Sequence, residues 1–224
     1  MPIALLLTPR FLLKMRRRGD YKGTLSKRLG IGIEDWPRTP GKCRVWMQAV
    51  SLGEILVIEG LLRKLAEDPK VELLLTTTTS TGYRLAKEKY SEICDRIYYF
   101  PVDFWPFVRK FWRRIRPDLV ICAETELWPE HMQQAANAEV PMVLVNGRLS
   151  DRSFKYARKL RWAYGRHMLI LSKVMAISKE DSSRFIAMGV PSDRVLVSGN
   201  LKLDVSIDKI LDEVKKRELR ALLG

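Results

Sequence analysis

The stretch Arg44–Glu54, which reads RVWMQAVSLGE, decides the fold. Its first seven residues have the length and apolar content of a buried strand, and its last four lead into a segment of helical periodicity. In that segment apolar residues recur every three or four positions, at Ile55, Ile58, Leu61, Leu62 and Leu65. Asp68-Pro69 then ends the predicted helix, which spans Gly53–Glu67. A buried strand followed at once by an amphipathic helix is typical of a βαβ unit.

The same alternation continues along the chain. We predict strands at Arg44–Val50, Val71–Thr77, Arg96–Phe100, Asp118–Ala123, Pro141–Val145, Val174–Ile177 and Arg194–Val197. Further helices are predicted at Gly82–Tyr90, Phe104–Arg114, Pro129–Ala138, Phe154–Leu169, Lys179–Met188 and Asp204–Leu223. Strands that alternate with helices indicate an α/β fold, a Rossmann-like parallel sheet with helices on both faces. The common strand order for such a sheet is 3-2-1-4-5-6.

The charge of the chain favours an anionic partner. Lys and Arg total 40 against 26 Asp and Glu, a formal net charge of +14, and residues 1–30 hold eight bases and one acid, which is 8 − 1 = +7. Apolar residues 3–13 are interrupted by Pro9 and Arg10, far short of the ~20 that a spanning helix needs. We interpret residues 1–30 as an interfacial membrane anchor; the alternative is a helix that packs on the domain with its charges solvated.

Other residue counts argue against metal and disulfide chemistry. The three cysteines, Cys43, Cys94 and Cys122, form no CxxC pair and resemble reduced core residues of a cytosolic protein. Only two histidines are present, without ligand-like spacing, so no metal site and no cofactor is predicted. The glycine-rich signatures of dinucleotide-binding and P-loop proteins are also missing from the sequence.

Ligands of an open parallel sheet bind beyond the carboxyl ends of the strands, where the strand order reverses, here between the first and fourth strands. Ser51-Leu52-Gly53-Glu54 follows the first of these and Glu124–Pro129 the fourth, so Glu54 and Glu124 are predicted to converge. Gly53 would let a ligand approach the backbone at a helix N-terminus. A purely local interpretation stays open, because Ser51 and Glu54 form a capping-box pattern, and Glu124 or Glu126 could cap the next helix.

Two further segments have both a functional and a structural interpretation. The hydroxyl-rich turn Thr76–Gly82 offers Thr78, Thr79, Ser80 and Gly82 to an anion or a sugar, but it could equally be an ordinary strand end followed by an N-cap. The segment Phe104–Arg116 mixes aromatic residues with five bases, which suits a membrane interface with acidic headgroups. Its aromatic residues are also what a buried core helix would contain.

Several blocks together resemble the 3-deoxy-D-manno-octulosonate (Kdo) transferases of lipopolysaccharide synthesis. They are Lys27–Gly30, Ala49–Glu54, Thr76–Gly82, Glu124–Pro129, Val143–Ser150 and Gly199–Asp204, in the family's order. The resemblance implies the N-terminal, acceptor-binding half of a two-domain GT-B glycosyltransferase that is inverting and independent of metal. The implied reaction moves Kdo from CMP-Kdo to the lipid A precursor (lipid IVA). In that family the residue matching Glu54 is the proposed general base and Glu124 is a second functional carboxylate, while Arg148 and Lys202 match cations that face the substrate.

From these observations we expect three parts: a basic and apolar membrane-associating segment at 1–30, a Rossmann-like acceptor domain at 31–204, and the start of a donor-binding domain at 205–224. The resemblance implies work at the cytoplasmic face of the inner membrane, with an anionic membrane surface as a partner and no nucleic acid. The alternative is a non-catalytic basic module that binds membranes or nucleic acid. Nucleic-acid binding would weaken steeply with salt for any duplex.

Overall fold

The computed structural model of the protein describes residues 23–125, 127–159 and 161–203. Its strands are β1 (Cys43–Gln48), β2 (Val71–Thr77), β3 (Arg96–Tyr99), β4 (Leu119–Ala123), β5 (Met142–Gly147), β6 (Leu171–Ala176) and β7 (Val195–Val197). They pair in parallel in one sheet with the order β3-β2-β1-β4-β5-β6-β7. The predicted fold class is confirmed, and the strand order reverses between β1 and β4 as expected.

Helices connect the strands. They are α1 (Leu25–Arg28), α2 (Leu52–Val57), α3 (Glu59–Ala66), α4 (Ser80–Tyr90), α5 (Trp105–Ile115), α6 (Pro129–Asn137), α7 (Asp151–Lys159), α8 (Arg161–Met168) and α9 (Lys179–Met188), with a 3-10 turn at Ser192–Arg194. The helix predicted at Gly53–Glu67 is divided at Ile58, whose ψ of 3° leaves the helical range. The helix predicted at Asp204–Leu223 lies outside the described residues.

Each face of the sheet has its own apolar core. Alternate strand residues point to opposite faces, so Val45 and Met47 pack in one cluster, beneath α2–α4, and Trp46 packs in the other. Trp46 lies among aromatic rings of α5, with ring centroids 4.9 Å from Phe111 and 5.4 Å from Trp112. Because both faces are covered, the central strands are apolar on both sides, which explains the continuous apolar runs of the sequence.

The sixth strand departs most from the sequence prediction. β6 begins at Leu171, three residues before the predicted start, because the polar pair Ser172-Lys173 interrupts its apolar run. Lys173 and Met175 are exposed while Val174 and Ala176 are buried, so only one face of this strand is covered within the described residues. A strand covered on one face alternates in polarity and gives a weaker apolar signal.

The amino edge of the sheet is held by a buried arginine. The Arg44 guanidinium donates to Glu72 at 2.6 Å and 2.9 Å and to the carbonyl oxygens of Trp36 and Pro37 at 3.0 Å and 2.8 Å. Burial of an arginine is tolerated here because its donors find acceptors. Among the cysteines, Cys94 and Cys122 are buried as predicted, but Cys43 is exposed at this edge, where β1 begins.

Part of the basic N-terminal segment is attached to the domain. Arg28 is buried, and its carbonyl oxygen accepts a hydrogen bond from Val102 N at 2.9 Å. Residues 24–30 therefore pack on the sheet domain, whereas residues 1–22 lie outside the described part of the chain. Among the described residues, none of the helices has both the length and the apolar character that crossing a bilayer requires.

Candidate functional site

The two predicted catalytic carboxylates lie at the same edge of the sheet. β1 and β4 are neighbours, with Gln48 level with Cys122. Glu124 follows β4 directly, and Glu54 lies in the first turn of α2, just after β1. Burial raises the pKa of Glu54, and the negative charge of Glu124 adds to the rise. The strand order thus brings the chain segments that carry the two carboxylates to the same edge, while their catalytic role stays a prediction.

Glu54 also has the local role that its capping pattern predicts. Its amide donates to Ser51 Oγ at 3.5 Å, while its own carboxylate accepts from Ser51 Oγ at 3.0 Å and from Val50 N at 2.7 Å. Burial raises the pKa of Glu54, and these hydrogen bonds oppose the rise. Gly53 is exposed beside it, and only Ser51 Oγ, at 3.9 Å, would touch a Cβ there. The carboxylate is thus fixed in place, and the backbone next to it is open.

Glu124 has an unusual backbone conformation. Its φ is 58°, in the left-handed region that non-glycine residues rarely adopt, and its amide donates to the carbonyl oxygen of Val145 at 2.9 Å. The strained turn directs the chain out of the sheet immediately after β4. Observed strain of this kind marks a segment that its surroundings hold in place, which is common at functional sites. Glu126 lies outside the described residues.

The hydroxyl-rich turn after β2 is anchored to the β1 end. The carbonyl oxygen of Val50 accepts from Thr77 Oγ1 and from the amides of Thr78 and Thr79, all at 3.0–3.1 Å. Thr79 is the N-cap of α4 and accepts from Gly82 N at 3.1 Å. The structural interpretation of this turn is therefore correct for Thr79.

Ser80 and Thr78 complete this turn. Ser80 is the first residue of α4 and is half-buried, while Thr78 Oγ1 is buried without a hydrogen-bond partner. Buried hydroxyl groups usually have a partner, so Thr78 retains hydrogen-bonding capacity beside the site. The carbonyl oxygen of Val50 accepts hydrogen bonds from the turn, and its amide donates to the Glu54 carboxylate. The turn and Glu54 are therefore held by the same residue.

Arg28 also supports the turn, a role that its sequence position among several bases does not reveal. Its side chain donates to the carbonyl oxygen of Thr78 and, at 3.1 Å, to Thr24 Oγ1. The guanidinium carbon lies 4.4 Å from the ring centroid of Tyr99. The match of Lys27–Gly30 to a family block was the signal that could have identified this contact.

Arg148 lies on a loop that is hydrogen-bonded to α9. Arg148 itself is exposed, but the next residue, Leu149, is bonded through both backbone groups. Its amide donates to Asp181 Oδ1 at 2.7 Å, and its carbonyl oxygen accepts from Arg184. The backbone next to Arg148 is therefore held in place by hydrogen bonds, while the Arg148 side chain is exposed.

Lys202 is brought towards the same strand end by a buried asparagine. Asn146, with φ of 53°, accepts from Leu201 N at 3.1 Å, and Lys202 N donates to Asn200 Oδ1 at 3.0 Å. Lys202 is exposed. The two predicted substrate-facing cations thus follow β5 and β7 at the carboxyl edge, which also carries Glu124.

The aromatic and basic segment 104–116 divides its residues between the core and the surface. Four apolar residues of α5 are buried, in agreement with the core interpretation: Val108, Phe111, Trp112 and Ile115. Phe104 and Trp105, at the site end of α5, are 49% and 46% exposed. Two of the five bases serve the fold, since Arg114 and Arg116 donate to the carbonyl oxygens of Ile33 and Trp36.

Metal-ligating side chains are not clustered in the described ranges, where no group of three His, Cys, Asp or Glu residues is arranged to hold an ion. His131 is fully buried against Phe100, with ring centroids 4.3 Å apart, and its Nδ1 accepts from Trp112 Nε1 at 3.2 Å. Burial lowers the pKa of His131 to about 3, so it stays neutral. It is a core residue.

Comparison with known protein families gives one assignment for most of the chain. Residues 23–205 match the family model for 3-deoxy-D-manno-octulosonic-acid transferase. A bifunctional glycosyltransferase/methyltransferase from Fusobacterium nucleatum is 30% identical over 204 residues, 91% of this chain and 31% of that protein. A 3-deoxy-D-manno-octulosonic acid transferase from Haemophilus influenzae is 29% identical over 87% of this chain and 45% of its own length. The chain thus spans less than half the length of these relatives.

Solved structures support the fold. The S. aureus MnaA–UDP structure covers 76% of this chain and 48% of its own, with a TM-score of 0.57 at 15% identity. A UDP-N-acetylglucosamine 2-epimerase structure covers 77% and 52%, with a TM-score of 0.55 at 13% identity. At such identities the likeness concerns the backbone architecture, which is GT-B-like.

Proposed function

The chain belongs to the 3-deoxy-D-manno-octulosonic-acid (Kdo) transferase family, and we propose that it forms the acceptor-binding half of an enzyme that transfers Kdo from CMP-Kdo to the lipid A precursor. The observation that supports this most is the position of Glu54, a partly buried carboxylate with a raised pKa beside Glu124. A carboxylate whose pKa is raised towards the operating pH is a stronger base than an exposed one.

In the proposed mechanism Glu54 is the general base. A sugar hydroxyl is a poor nucleophile at neutral pH, so Glu54 takes its proton while the hydroxyl oxygen forms a bond to the anomeric carbon of Kdo. The bond from that carbon to the phosphate oxygen of CMP breaks, and its electron pair leaves with CMP. Attack on the side opposite the leaving group inverts the anomeric configuration. The protein supplies the base and the positioning groups, and the mechanism that we propose uses no metal ion.

The remaining predicted residues are assigned to substrate binding. Ser51 holds the Glu54 carboxylate by a hydrogen bond, and Gly53 leaves the backbone open to the acceptor. We assign Glu124 to orienting the acceptor from the β4 side of the site. We assign the turn residues Thr78, Thr79, Ser80 and Gly82 to the β2 side of the proposed binding site, where Thr79 and Ser80 are half-buried and Thr78 and Gly82 are buried. Arg148 and Lys202 supply positive charge for the phosphate and carboxylate groups of the substrates, since both are exposed at the carboxyl edge.

We also propose that the site works at the cytoplasmic face of the inner membrane. The side chains of Phe104 and Trp105 are half exposed at the start of α5, and the loop before them is bonded to α1 through Val102 and Arg28. Lys27 and Arg109 are exposed on the same elements. Apolar rings among bases suit an interface with anionic lipid. In this proposal residues 1–30 associate with the membrane, 31–204 bind the acceptor, and 205–224 begin the donor-binding half. The rest of that half lies in the part of the relatives that this chain does not match.

The test is transfer of radiolabelled Kdo to the lipid A precursor by a fusion of this chain to the donor-binding half of a related transferase. We expect turnover by the fusion and, for Glu54→Gln, a loss of kcat on the order of a hundredfold or more with an unchanged circular dichroism spectrum. Glu92→Gln, the same change at an exposed position away from the site, is the matched control and should retain full turnover.

Equal turnover by the fusion and its Glu54→Gln variant would refute the assigned base. An inactive fusion that still binds anionic vesicles or duplex DNA, with affinity that falls steeply with salt, would favour the alternative of a non-catalytic basic module.

A further inference from the structure

The helix α6 lacks an N-cap of its own. Trp128 occupies the N-cap position and its side chain makes no capping hydrogen bond, while Pro129 at the first helical position has no N–H to satisfy. The backbone ladder starts with Met132 N, which donates to the carbonyl oxygen of Trp128 at 2.9 Å. The amides of Glu130 and His131 therefore need acceptors from elsewhere.

A carboxylate from a different loop supplies both acceptors. Asp103 Oδ2 lies 3.3 Å from Glu130 N, and Oδ1 lies 3.2 Å from His131 N. Asp103 belongs to the β3–α5 loop, 27 residues before Glu130 and 28 before His131. A negative charge is also favourable at this end of a helix, where the macrodipole is positive.

The loop that carries Asp103 is itself fixed. Phe100 N donates to the carbonyl oxygen of Thr77 and Val102 N to that of Arg28, both at 2.9 Å. Asp103 therefore connects three parts of the site: the end of β2, the helix α1 and the start of α6. Phe100 adds an apolar contact to this connection, because its ring centroid is 5.8 Å from that of Trp128.

The segment between β4 and α6 is short, so its position depends on how its two ends are held. At the upstream end, Glu124 is fixed by its left-handed backbone and its bond to Val145. At the downstream end, the start of α6 is fixed by Asp103. Only four residues separate Glu124 from Pro129 in the sequence, so these two fixed points are close along the chain.

We propose that Asp103 is a positioning residue that caps α6 from another loop and thereby fixes the start of α6 relative to Glu124. This goes beyond the assignment of Glu124 itself. It depends on the proposed function only in its last step, the use of Glu124 in transfer. Asp103 acts through the backbone of α6 and touches no reacting group.

The test is amide hydrogen exchange, measured residue by residue by NMR on the 224-residue chain at neutral pH. In Asp103→Ala we expect exchange at Glu130, His131 and the amides of residues 124–128 to accelerate about fivefold or more, the effect of losing an N-cap. Asp103→Asn keeps one acceptor oxygen and should give a smaller acceleration. The amide of Leu73, which donates to Asp95 at 2.7 Å in β2, should be unaffected and serves as an internal control.

Asp118→Asn is the matched control variant. Asp118 also accepts a backbone hydrogen bond, from Arg44 N at 2.7 Å, but at the amino edge of the sheet. The Asp118→Asn variant should leave the amide exchange rates of residues 124–131 within about twofold of the wild type, because local openings are independent of distant contacts. Unchanged exchange at Glu130 and His131 in both Asp103 variants would overturn the proposal. So would an equal acceleration at Leu73, because that would indicate general destabilisation; if Asp103→Ala does not fold, Asp103→Asn decides.

A kinetic measurement separates this proposal from the proposed function. In the fusion used for Kdo transfer, Asp103→Ala should lower kcat by about tenfold and leave KM for CMP-Kdo unchanged, because the donor is bound by the other half. A fusion that is active and equally fast with Asp103→Ala would overturn the role in positioning. If even the wild-type fusion is inactive, the proposed function fails, and the exchange measurement still decides whether Asp103 holds the segment.

Discussion

At the scale of single residues, Glu54 shows how a local structural role and a chemical role occupy one side chain. The sequence pattern that predicts a capping box is correct, since Ser51 and Glu54 bond to each other. The same bonds hold the Glu54 carboxylate at the carboxyl edge of the sheet. Burial raises the pKa of Glu54 there, and the charge of Glu124 adds to the rise. The capping interpretation and the functional one are therefore compatible. The catalytic assignment itself stays a prediction.

The raised pKa of Asp103 predicts how the free energy of unfolding depends on pH. Burial raises its pKa to about 6 from 3.8, against two backbone hydrogen bonds that lower it, and the charge of Glu130 adds to the rise. The folded state therefore binds the Asp103 proton more tightly than the unfolded state between these two values. By linkage, the contribution of Asp103 to the free energy of unfolding decreases as pH rises from about 4 to about 6.

The measurement is urea unfolding of the wild type and of Asp103→Asn across this pH range. The free energy of unfolding of the wild type, minus that of the variant, should fall by up to about 3 kcal/mol as pH rises, and then stay level. The only histidine in contact with this carboxylate, among the described residues, is His131, whose pKa of about 3 keeps it neutral throughout. A difference that rises with pH would show that the carboxylate is stabilised by ionisation.

At the scale of secondary-structure elements, the helices differ in how far their ends can be predicted. Ser51, Thr79 and Ser178 each cap the helix that they precede, and such caps are visible in the sequence because donor and acceptor are three residues apart. The cap of α6 comes from Asp103, in a separate loop. No local pattern connects positions that far apart, so this contact could only be found in three dimensions.

The start of α4 gives a prediction about packing. A Cβ at Gly82 would lie 2.6 Å from Thr77 Oγ1 and 2.9 Å from Thr79 Oγ1, so Gly82→Ala must displace the turn that is bonded to Val50. We expect the free energy of unfolding to fall by about 1–3 kcal/mol, the usual cost of overpacking. Urea unfolding measures it.

Gly60→Ala is the matched control for that prediction. Gly60 lies inside α3, and nothing within 4 Å would meet its added Cβ. Alanine is the better helix former, so this variant should gain about 0.5–1 kcal/mol. Equal effects at both positions would contradict the packing explanation and leave helix propensity as the cause.

At the scale of the whole molecule, positive charge and exposed aromatic rings occur together near the carboxyl edge. Phe104 and Trp105 are half exposed beside the loop that carries Asp103. Under the proposed function, a surface of this kind would bring the site close to the membrane, and the electrostatic part of the membrane binding should weaken with salt.

The prediction for this surface is a loss of membrane affinity. Replacing Phe104 and Trp105 together by serine should reduce partitioning into phosphatidylglycerol vesicles by about tenfold or more, because two large apolar side chains no longer enter the interface. Vesicle co-sedimentation measures it. The control is the double replacement of Leu196 and Val197 by serine, two side chains that are 51% exposed on the edge strand β7. An equal loss in both variants would show that the interaction is not localised at α5.

The sequence by itself determined the fold class, because apolar periodicity acts over short stretches of chain. The strand order and the placing of Glu54 and Glu124 at one edge followed from the common topology of that fold class. Only the tertiary structure decided the burial of Arg28 against Thr78, the division of the helix at Ile58 and the capping of α6 by Asp103. The Arg28 and Asp103 contacts depend on which loops meet in space, because a hydrogen bond or a buried charge is satisfied by whichever partner the packed chain brings near, whatever its distance in sequence.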